Sequence, residues 1–145
     1  YITASEAFHG YCVYGRKKFT MEQVQELFRS VGWVSGEYPQ RLYKALMHSS
    51  RVTTAWDGAR LVGLARALDD GEMLACIHYV LVHPDYQRRG IAGTMIERIK
   101  EHYKNCLYIE VMPEERKNVA FYQKHGFQIM PEGTAMVLAN FADKR

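Results

Sequence analysis

The sequence predicts one α/β domain in which helices flank a mixed, mostly antiparallel sheet. Its 145 residues, 48% of them hydrophobic, are enough to bury a single core. The first part carries two amphipathic helix patterns, the middle a series of hairpin-linked strands, and the last part a strand, a helix and a further strand. We therefore expect a single domain over residues 1–145.

Two helices are predicted before the first clear strands. Thr20 and Gln23 form a capping-box pattern, and the apolar spacing that follows predicts a helix ending near Gly32. Pro39 suits the first turn of a second helix. The apolar residues on one face of this second helix are Leu42, Ala45 and Leu46.

The middle of the chain predicts an antiparallel meander. Residues 52–57 and 60–69 read as strands, and the Asp57-Gly58 pair between them is typical of a type I′ hairpin. Asp70-Gly71 marks a second hairpin turn. Residues 73–82 are apolar and aromatic enough to form a central strand.

A crossover follows this central strand. After the loop at residues 83–86 comes a helix with its apolar residues on one side, namely Ile91, Met95, Ile96, Ile99 and Tyr103. Residues 107–111 form the next strand, and a right-handed crossover makes it parallel to the central strand. We expect a short helix over 118–125, stopped by Gly126, and a closing hairpin of 127–129 with 135–138.

Composition narrows the function classes. The formal charge of +3 is small for a dedicated nucleic-acid binder, and the basic clusters at residues 16–18 and 88–89 are short enough to be solvated faces. Three distant cysteines, Cys12, Cys76 and Cys106, indicate reduced thiols in a cytoplasmic protein. No leader or apolar span is visible, so we expect neither a nucleic-acid nor a membrane partner, and a homodimer is left open.

The helix start at residues 87–94 has the properties of an anion site. Gly90, Ala92 and Gly93 are small and lie where a helix exposes unpaired N–H groups, so a ligand can approach the backbone. Arg88 and Arg89 add positive charge. The spacing is neither Gly-x-Gly-x-x-Gly nor a P-loop, which argues against a Rossmann site and a nucleotide hydrolase. The alternative interpretation is an ordinary glycine-rich turn.

Two motifs resemble the GNAT superfamily of N-acetyltransferases. Residues 87–92, Gln-Arg-Arg-Gly-Ile-Ala, are similar to its Gln/Arg-x-x-Gly-x-Gly/Ala signature, and residues 80–86 look like the strand and loop that lead into it. Residues 118–127 resemble its second motif, an Asn followed by Phe-Tyr and closed by Gly-Phe. The resemblance covers about residues 20–140 in element order and is most specific over 80–127.

The resemblance implies an N-acetyltransferase domain whose two central parallel strands splay apart, with acetyl-CoA as cosubstrate and no metal. The backbones of Leu81 and Val82 would pair with the pantetheine arm, and backbone amides of the following turn would hold the pyrophosphate. A backbone N–H near Val80 or Leu81 would stabilise the oxyanion. The implied cofactor-binding residues are Val80, Leu81, Val82, Gln87, Arg88, Arg89, Gly90, Ile91, Ala92, Gly93, Thr94, Asn118 and Tyr122.

Acetyl transfer to an amine needs a base and an acid. An amine attacks only when neutral, and a lysine-like amine of pKa about 10.4 is neutral in about one part per thousand near pH 7.4. The candidate bases are His78 and Glu110, with His83 at the strand's end, although each also fits an ordinary strand residue. The resemblance implies that Tyr122 protonates the departing thiolate, whereas its pattern alone fits the core.

Strand alternation does not choose between the two bases. It puts His78 on the face of Val80 and Val82, and Glu110 on the face of Tyr108. A carboxylate that acts through a water works from further away, which favours Glu110 slightly.

The residues that bind the acceptor are less clearly indicated by the sequence than those that bind the cofactor. In the family the first two helices roof the acceptor, which implies Trp33, Tyr38 and also Tyr43 as candidates; packing of helix on sheet explains them equally. The Gly32-Trp33 turn with Pro39 looks somewhat like small-amine acetyltransferases, so we expect a small-molecule primary amine. A peptide or protein amine acceptor, or a non-catalytic acyl-CoA sensor, is the alternative.

Overall fold

One mixed sheet forms the centre of the molecule. The computed structural model describes residues 7–8, 11–15 and 17–141. Six strands lie in the order β1-β2-β3-β4-β5-β6. They are β1 (Ala7–Phe8), β2 (Tyr11–Tyr14), β3 (Arg51–Asp57), β4 (Arg60–Asp69), β5 (Leu74–Val82) and β6 (Tyr108–Val111). The helices are α1 (Met21–Ser30), α2 (Pro39–Met47), α3 (Ile91–His102) and α4 (Val119–Lys124).

The pairing confirms the predicted mixed, mostly antiparallel sheet. Strands β1 to β5 pair antiparallel in succession. Strand β6 pairs parallel to β5, because α3 carries the chain back across the sheet between them.

Both N-terminal helices begin at the predicted signals. The Thr20 hydroxyl accepts from the Gln23 N–H at 3.1 Å, and the Thr20 N–H donates to the Gln23 side chain at 2.9 Å, which completes the capping box. Pro39 is the first residue of α2. Of the three apolar residues predicted on one face of α2, Leu42 and Leu46 are buried, whereas Ala45 is exposed.

The first hairpin has a different turn from the predicted one. Asp57 pairs with Arg60 across a two-residue loop. Gly58 has a φ of 58°, whereas Ala59 is not among the described residues with positive φ. A type I′ turn needs positive φ at both central residues, so this is the type II′ pattern, with glycine at the first position.

Two apolar cores cover the two faces of the sheet. One lies under α3 and includes Met95, Ile96 and Ile99, all without exposed surface. The other lies under α1 and α2 and includes Phe28 and Leu46. To bury these apolar side chains, α3 packs on one face of the sheet, and α1 and α2 pack on the other.

The predicted closing hairpin does not form. Residues 127–141 contain no strand, and residues 128–141 are all exposed. Phe127 alone packs against the core, with its ring 5.8 Å from that of Tyr122. A segment with a strand-like sequence forms a strand only when it pairs with the edge of another strand. Residues 127–141 do not pair with β6, the strand at the edge of this sheet.

The basic cluster at residues 16–18 is only partly described, since Arg16 lies outside the described residues. The Lys17 ammonium donates to the carbonyls of Met47 and Ser49 at 2.9 and 2.5 Å, at the end of α2. None of the helices in the described part of the chain is long and apolar enough to cross a membrane.

Candidate active site

A β-bulge in the central strand shapes the site. Ala65 pairs with Val80 and Arg66 with His78, which leaves Tyr79 as an extra residue with a φ of 59°. The rings of His78 and Tyr79 are therefore 4.0 Å apart on the α1 side of the sheet. Val80 packs into the opposite core, under α3. The prediction that His78 shares a face with Val80 and Val82 is wrong, because alternation breaks at the bulge.

The two parallel strands separate beyond the bulge. Strand β6 pairs with β5 only from Leu74 to Ile77. From His78 to Val82 the strand is paired with β4 on its other side. Among the described residues no strand pairs with this side of β5 beyond Ile77, so a chain-like ligand could add hydrogen bonds there as a further strand would.

A small cleft opens where the strands part. Its walls bring together five of the predicted site residues, Trp33, His78, Val80, Asn118 and Tyr122. The remaining wall residues are Ile77, Tyr79, Val111, Met112, Glu114 and Glu115. Leu81 and Val82 continue the same strand away from the cleft.

Tyr122 is a buried residue of α4 that lines the cleft. Its side chain is only 7% exposed, packed edge-to-face on Phe121 and Phe127. Burial, followed by the negative charge of Glu114, raises the pKa of Tyr122 to about 12. The phenol can therefore donate a proton throughout the neutral range.

His78 is held as a neutral ring. The Arg66 guanidinium donates to His78 Nδ1 from Nη2 at 2.7 Å and lies over the Tyr79 ring at 4.7 Å. Desolvation, followed by the Arg66 charge, lowers the pKa of His78 to about 4. Because Nδ1 accepts from Arg66, the hydrogen of the neutral ring sits on Nε2, which leaves no free lone pair for a substrate proton.

Glu110 lies on β6, directly before the cleft-lining residue Val111. It pairs with Cys76 in the parallel ladder and is partly buried. Burial, and then the Glu110 charge, raises the pKa of the Cys76 thiol. Glu110 does not line the cleft around Tyr122, whereas Glu114 and Glu115 do. His83 belongs to the next loop, where its Nδ1 accepts from the Asp85 N–H at 3.1 Å.

The predicted anion-binding turn lies at the start of α3. Arg88 and Gly90 have φ values of 65° and 81°, both in the left-handed region, and Gly90 is the N-cap of α3. The first helical hydrogen bond runs from the Thr94 N–H to the Gly90 carbonyl at 3.0 Å. The N–H groups of Ile91 and Ala92 consequently precede the helical ladder and can bind an anion.

The side chains of the turn have separate tasks. Gln87 donates to the carbonyl of Val82 at 3.0 Å and ties the turn to the end of β5. A side chain on Gly93 would point at His125, since its Cβ would lie 3.2 Å from Nε2 of that ring. The small size of Gly93 therefore lets α4 pack on α3, a role that the sequence prediction missed.

The acceptor candidates divide between two places. Trp33 packs near Phe28 and Tyr79, with ring distances of 6.0 and 6.1 Å, and also lines the cleft. Tyr38 lines a neighbouring groove that meets the cleft at Tyr79. Tyr43 packs edge-to-face on Phe19 at 6.0 Å, which is a core contact.

Sequence reasoning missed several residues of the site. Tyr79 carries the bulge, Arg66 holds His78, and Ser35 bonds the Tyr79 hydroxyl at 2.6 Å. No local pattern indicates them, because a bulge depends on the register between two strands. The run of acidic residues after β6 was a signal that could have found Glu114 and Glu115.

Comparison with known proteins fixes the class. The model of the acetyltransferase (GNAT) family matches residues 19–127. That span contains the open β5 edge, the helix start at Gly90 and the Tyr122 helix. The chain therefore belongs to the GNAT family of acetyltransferases.

Individual relatives agree with this assignment. The uncharacterized N-acetyltransferase ycf52 of Porphyra purpurea is 31% identical over 123 residues, covering 81% of this chain and 70% of that protein. Histone acetyltransferase TAP1 of Glycine max is 31% identical over 121 residues, covering 76% and 52% respectively. The solved structure of a GNAT family acetyltransferase from Streptococcus pneumoniae has a TM-score of 0.77 at 30% identity, covering 90% of this chain and 98% of that one.

Proposed function

We propose that this protein transfers the acetyl group of acetyl-CoA directly to a primary amine. The observation that carries the proposal is the position of Tyr122, a buried tyrosine that lines the cleft where β5 and β6 part. The helix start at Gly90 follows the other end of the same open strand edge. A cytoplasmic location stays a prediction.

The residues present fit acetyl-CoA. The two positive-φ residues at the α3 start and the first-turn amides suit a pyrophosphate, and space is open at the Cβ position of Gly90. The unpaired side of β5 at Leu81 and Val82 suits the amide groups of a pantetheine arm. Asn118, one turn before Tyr122, would contact that arm. When bound, acetyl-CoA supplies the thioester.

Tyr122 is the proposed acid. As the amine nitrogen forms its bond to the acetyl carbon, the carbon–sulfur bond breaks and Tyr122 donates its proton to the sulfur. Burial supports this role, since it raises the pKa of Tyr122 to about 12 and keeps the phenol protonated. A backbone N–H near Val80 or Leu81 is proposed to stabilise the oxyanion.

Glu110 is the proposed base that takes the amine proton through a water. His78 is the weaker candidate because burial, followed by the Arg66 charge, lowers its pKa to about 4, and because Arg66 occupies its Nδ1. Glu114 is a second carboxylate to consider, since its charge acts on Tyr122 inside the cleft.

The groove beside the cleft favours a small amine over a basic peptide. The residues lining it include Arg41, Lys44 and His48 and, among the described residues, no carboxylate. Arg41 and Lys44 lie one turn apart on α2, and their two positive charges would repel a lysine-rich segment. Although one relative is named a histone acetyltransferase, we therefore propose a small-molecule acceptor, held against Trp33 and Tyr38.

Turnover of the Tyr122→Phe variant tests the proposal. With acetyl-CoA and a panel of small amines and lysine peptides, we expect the wild-type protein to release free CoA thiol. Tyr122→Phe keeps the ring packing and should lose about 10²-fold in kcat, with acetyl-CoA affinity little changed.

A Phe121→Leu variant is the control, because it alters the neighbouring aromatic contact without removing a proton donor. Binding of acetyl-CoA without turnover on any amine would support the sensor alternative. Equal kcat for wild type and Tyr122→Phe, with the chemical step shown to limit the rate, would remove Tyr122 as the acid.

A further inference from the structure

The groove beside the cleft runs along one side of α2. Its volume of about 690 Å³ lies within the range of small-molecule sites. Tyr79 lines both the groove and the cleft, so the two spaces adjoin at this ring. The hydroxyls of Ser35 and Tyr79 are hydrogen-bonded at 2.6 Å, which holds the ring at the junction. A molecule that reacts in the cleft can therefore extend into the groove.

The α2 wall of the groove is positively charged. Arg41 and Lys44 line it one helical turn apart, and both side chains are exposed. Within the part of the chain that the structure describes, neither side chain has an ion-pair or hydrogen-bond partner. Glu37, the carboxylate nearest to them in sequence, is bound by Arg29 at 3.1 Å. Two cations that lack a counter-ion can bind an anion from solution.

The end of α2 does not use the Lys44 ammonium as a cap. Lysine side chains near the end of a helix often donate to its last carbonyls. Here the Lys17 ammonium donates to the Met47 carbonyl at 2.9 Å, and Nδ1 of His48 donates to the Lys44 carbonyl at 2.9 Å. The charge of Lys44 is therefore available to a ligand in the groove.

The cleft at the other end of the combined site carries negative charge. Glu114 and Glu115 line it together with Tyr122, and the charge of Glu114, after burial, raises the pKa of Tyr122. An acceptor amine of pKa about 10.4 arrives almost entirely as the ammonium ion at neutral pH, which this end attracts. The α2 end attracts an anion. The two ends together match a molecule with an amino group at one end and an anionic group at the other.

We propose that the acceptor is a primary amine that also carries an anionic group, a carboxylate or a phosphate, and that Arg41 and Lys44 bind this group. The inference rests on the proposed acetyl transfer and adds the chemical class of the acceptor; the bonds made and broken are the same. A guanidinium binds a carboxylate or phosphate through two parallel hydrogen bonds, and an ammonium adds a point charge. Tyr38, which lines the same groove, packs against the part of the acceptor between its two charged ends.

Acetylation of matched amines tests this acceptor class. ω-Amino acids, aminoalkyl phosphates and amino alcohols of equal chain length differ only in the group at the far end, and release of CoA thiol gives kcat/KM for each. The preferred anionic series should exceed the amino alcohols about tenfold, mostly through a lower KM, and it identifies the group as carboxylate or phosphate. The preference should shrink at high salt, because exposed charges are screened.

Charge variants of α2 locate the anion site. Arg41→Gln and Lys44→Gln should each lower the ratio of kcat/KM for anionic over neutral amines about threefold, and Lys44→Glu should abolish the preference. Both side chains are exposed, so these changes leave the apolar cores intact. Lys104→Gln is the control, because it removes the same charge at the end of α3, on the other face of the sheet. It should keep the wild-type ratio.

The possible results separate this inference from the proposed function. Equal kcat/KM for anionic and neutral amines would overturn the anionic acceptor and leave the proposed acetyl transfer intact. A preference that all three α2 variants keep would overturn the assignment to Arg41 and Lys44. A lysine peptide acetylated faster than every anionic amine would overturn it as well. If no amine releases thiol, the proposed function itself is wrong, and this inference with it.

Discussion

The Arg66 guanidinium donates to Nδ1 of His78 at 2.7 Å, directly across the β4–β5 pair where the strand bulges. The contact occupies one ring nitrogen of a histidine that lines the cleft. Burial, followed by the Arg66 charge, lowers the pKa of His78 to about 4, so both causes make it a weak base.

Removing this guanidinium should raise the pKa of His78. In Arg66→Gln the charge is lost while an amide donor is kept, so the pKa should move from about 4 part of the way towards the ordinary value, with burial, the larger cause, still lowering it. An NMR titration of the imidazole measures it. Arg60→Gln, whose guanidinium contacts His83, is the control and should leave His78 unchanged. An unchanged His78 pKa in Arg66→Gln would contradict the effect of the Arg66 charge on His78.

The same shift predicts a pH dependence of stability. The folded-state pKa of His78 is lowered, so between about pH 6.5 and 4 the unfolded chain binds a proton more readily than the folded one. The free energy of unfolding should therefore fall as the pH falls through this window. Urea denaturation should show a shallower fall for His78→Gln than for wild type, and equal slopes would contradict the prediction.

Two substitutions of Gly90, at the start of α3, separate the effect of backbone strain on CoA binding from the effect of negative charge. Any side chain at Gly90 must adopt a φ of 81°, which costs about 1–2 kcal/mol, so Gly90→Ala and Gly90→Glu share that strain. Only the glutamate adds a negative charge at the helix start, and it should weaken CoA binding about tenfold more than alanine does. Calorimetry on both folded variants measures this, and equal affinities would refute a pyrophosphate site at Gly90.

The pH–rate profiles of three variants test Glu110 as the general base. Glu110→Gln should lower kcat/KM about 10²-fold at pH 7, and the loss should shrink towards pH 9–10, where about 4–30% of an amine of pKa roughly 10.4 is already neutral. His78→Ala should change kcat/KM by a factor that does not vary over this range. A wild-type profile for Glu110→Gln, with the pH-dependent loss in Glu114→Gln or His78→Ala instead, would move the role to that residue.

The effect of a Gly93 substitution on stability is predicted to depend on the side chain at His125. The His125 ring is held by Glu97 at 2.6 Å and by the Phe121 ring at 4.8 Å, so it cannot easily move away from a new Cβ. Gly93→Ala should therefore lose the usual helical gain of about 0.5–1 kcal/mol and destabilise the protein. In a His125→Ala background the same change should stabilise it. Thermal unfolding of this double-mutant cycle showing no coupling would contradict the contact.

The local and periodic features could be predicted from sequence. The capping box at Thr20, the proline start of α2 and the apolar face of α3 determine their helices through contacts within a few residues. The glycine-containing helix start and the Asn118-to-Phe127 motif likewise lie in continuous segments, which is why the family could be named before the structure.

The relationships between segments depended on the tertiary structure. The bulge at Tyr79, and with it the side on which His78 lies, follows from the register of β5 against β4, which alternation within one strand cannot contain. The closing hairpin was expected because residues 135–138 have the composition of a strand, but composition does not say which edge receives it. The local sequence determines the helix or strand propensity of each segment. Which strands pair, and in what register, depends on two segments at once and therefore follows only from the tertiary structure.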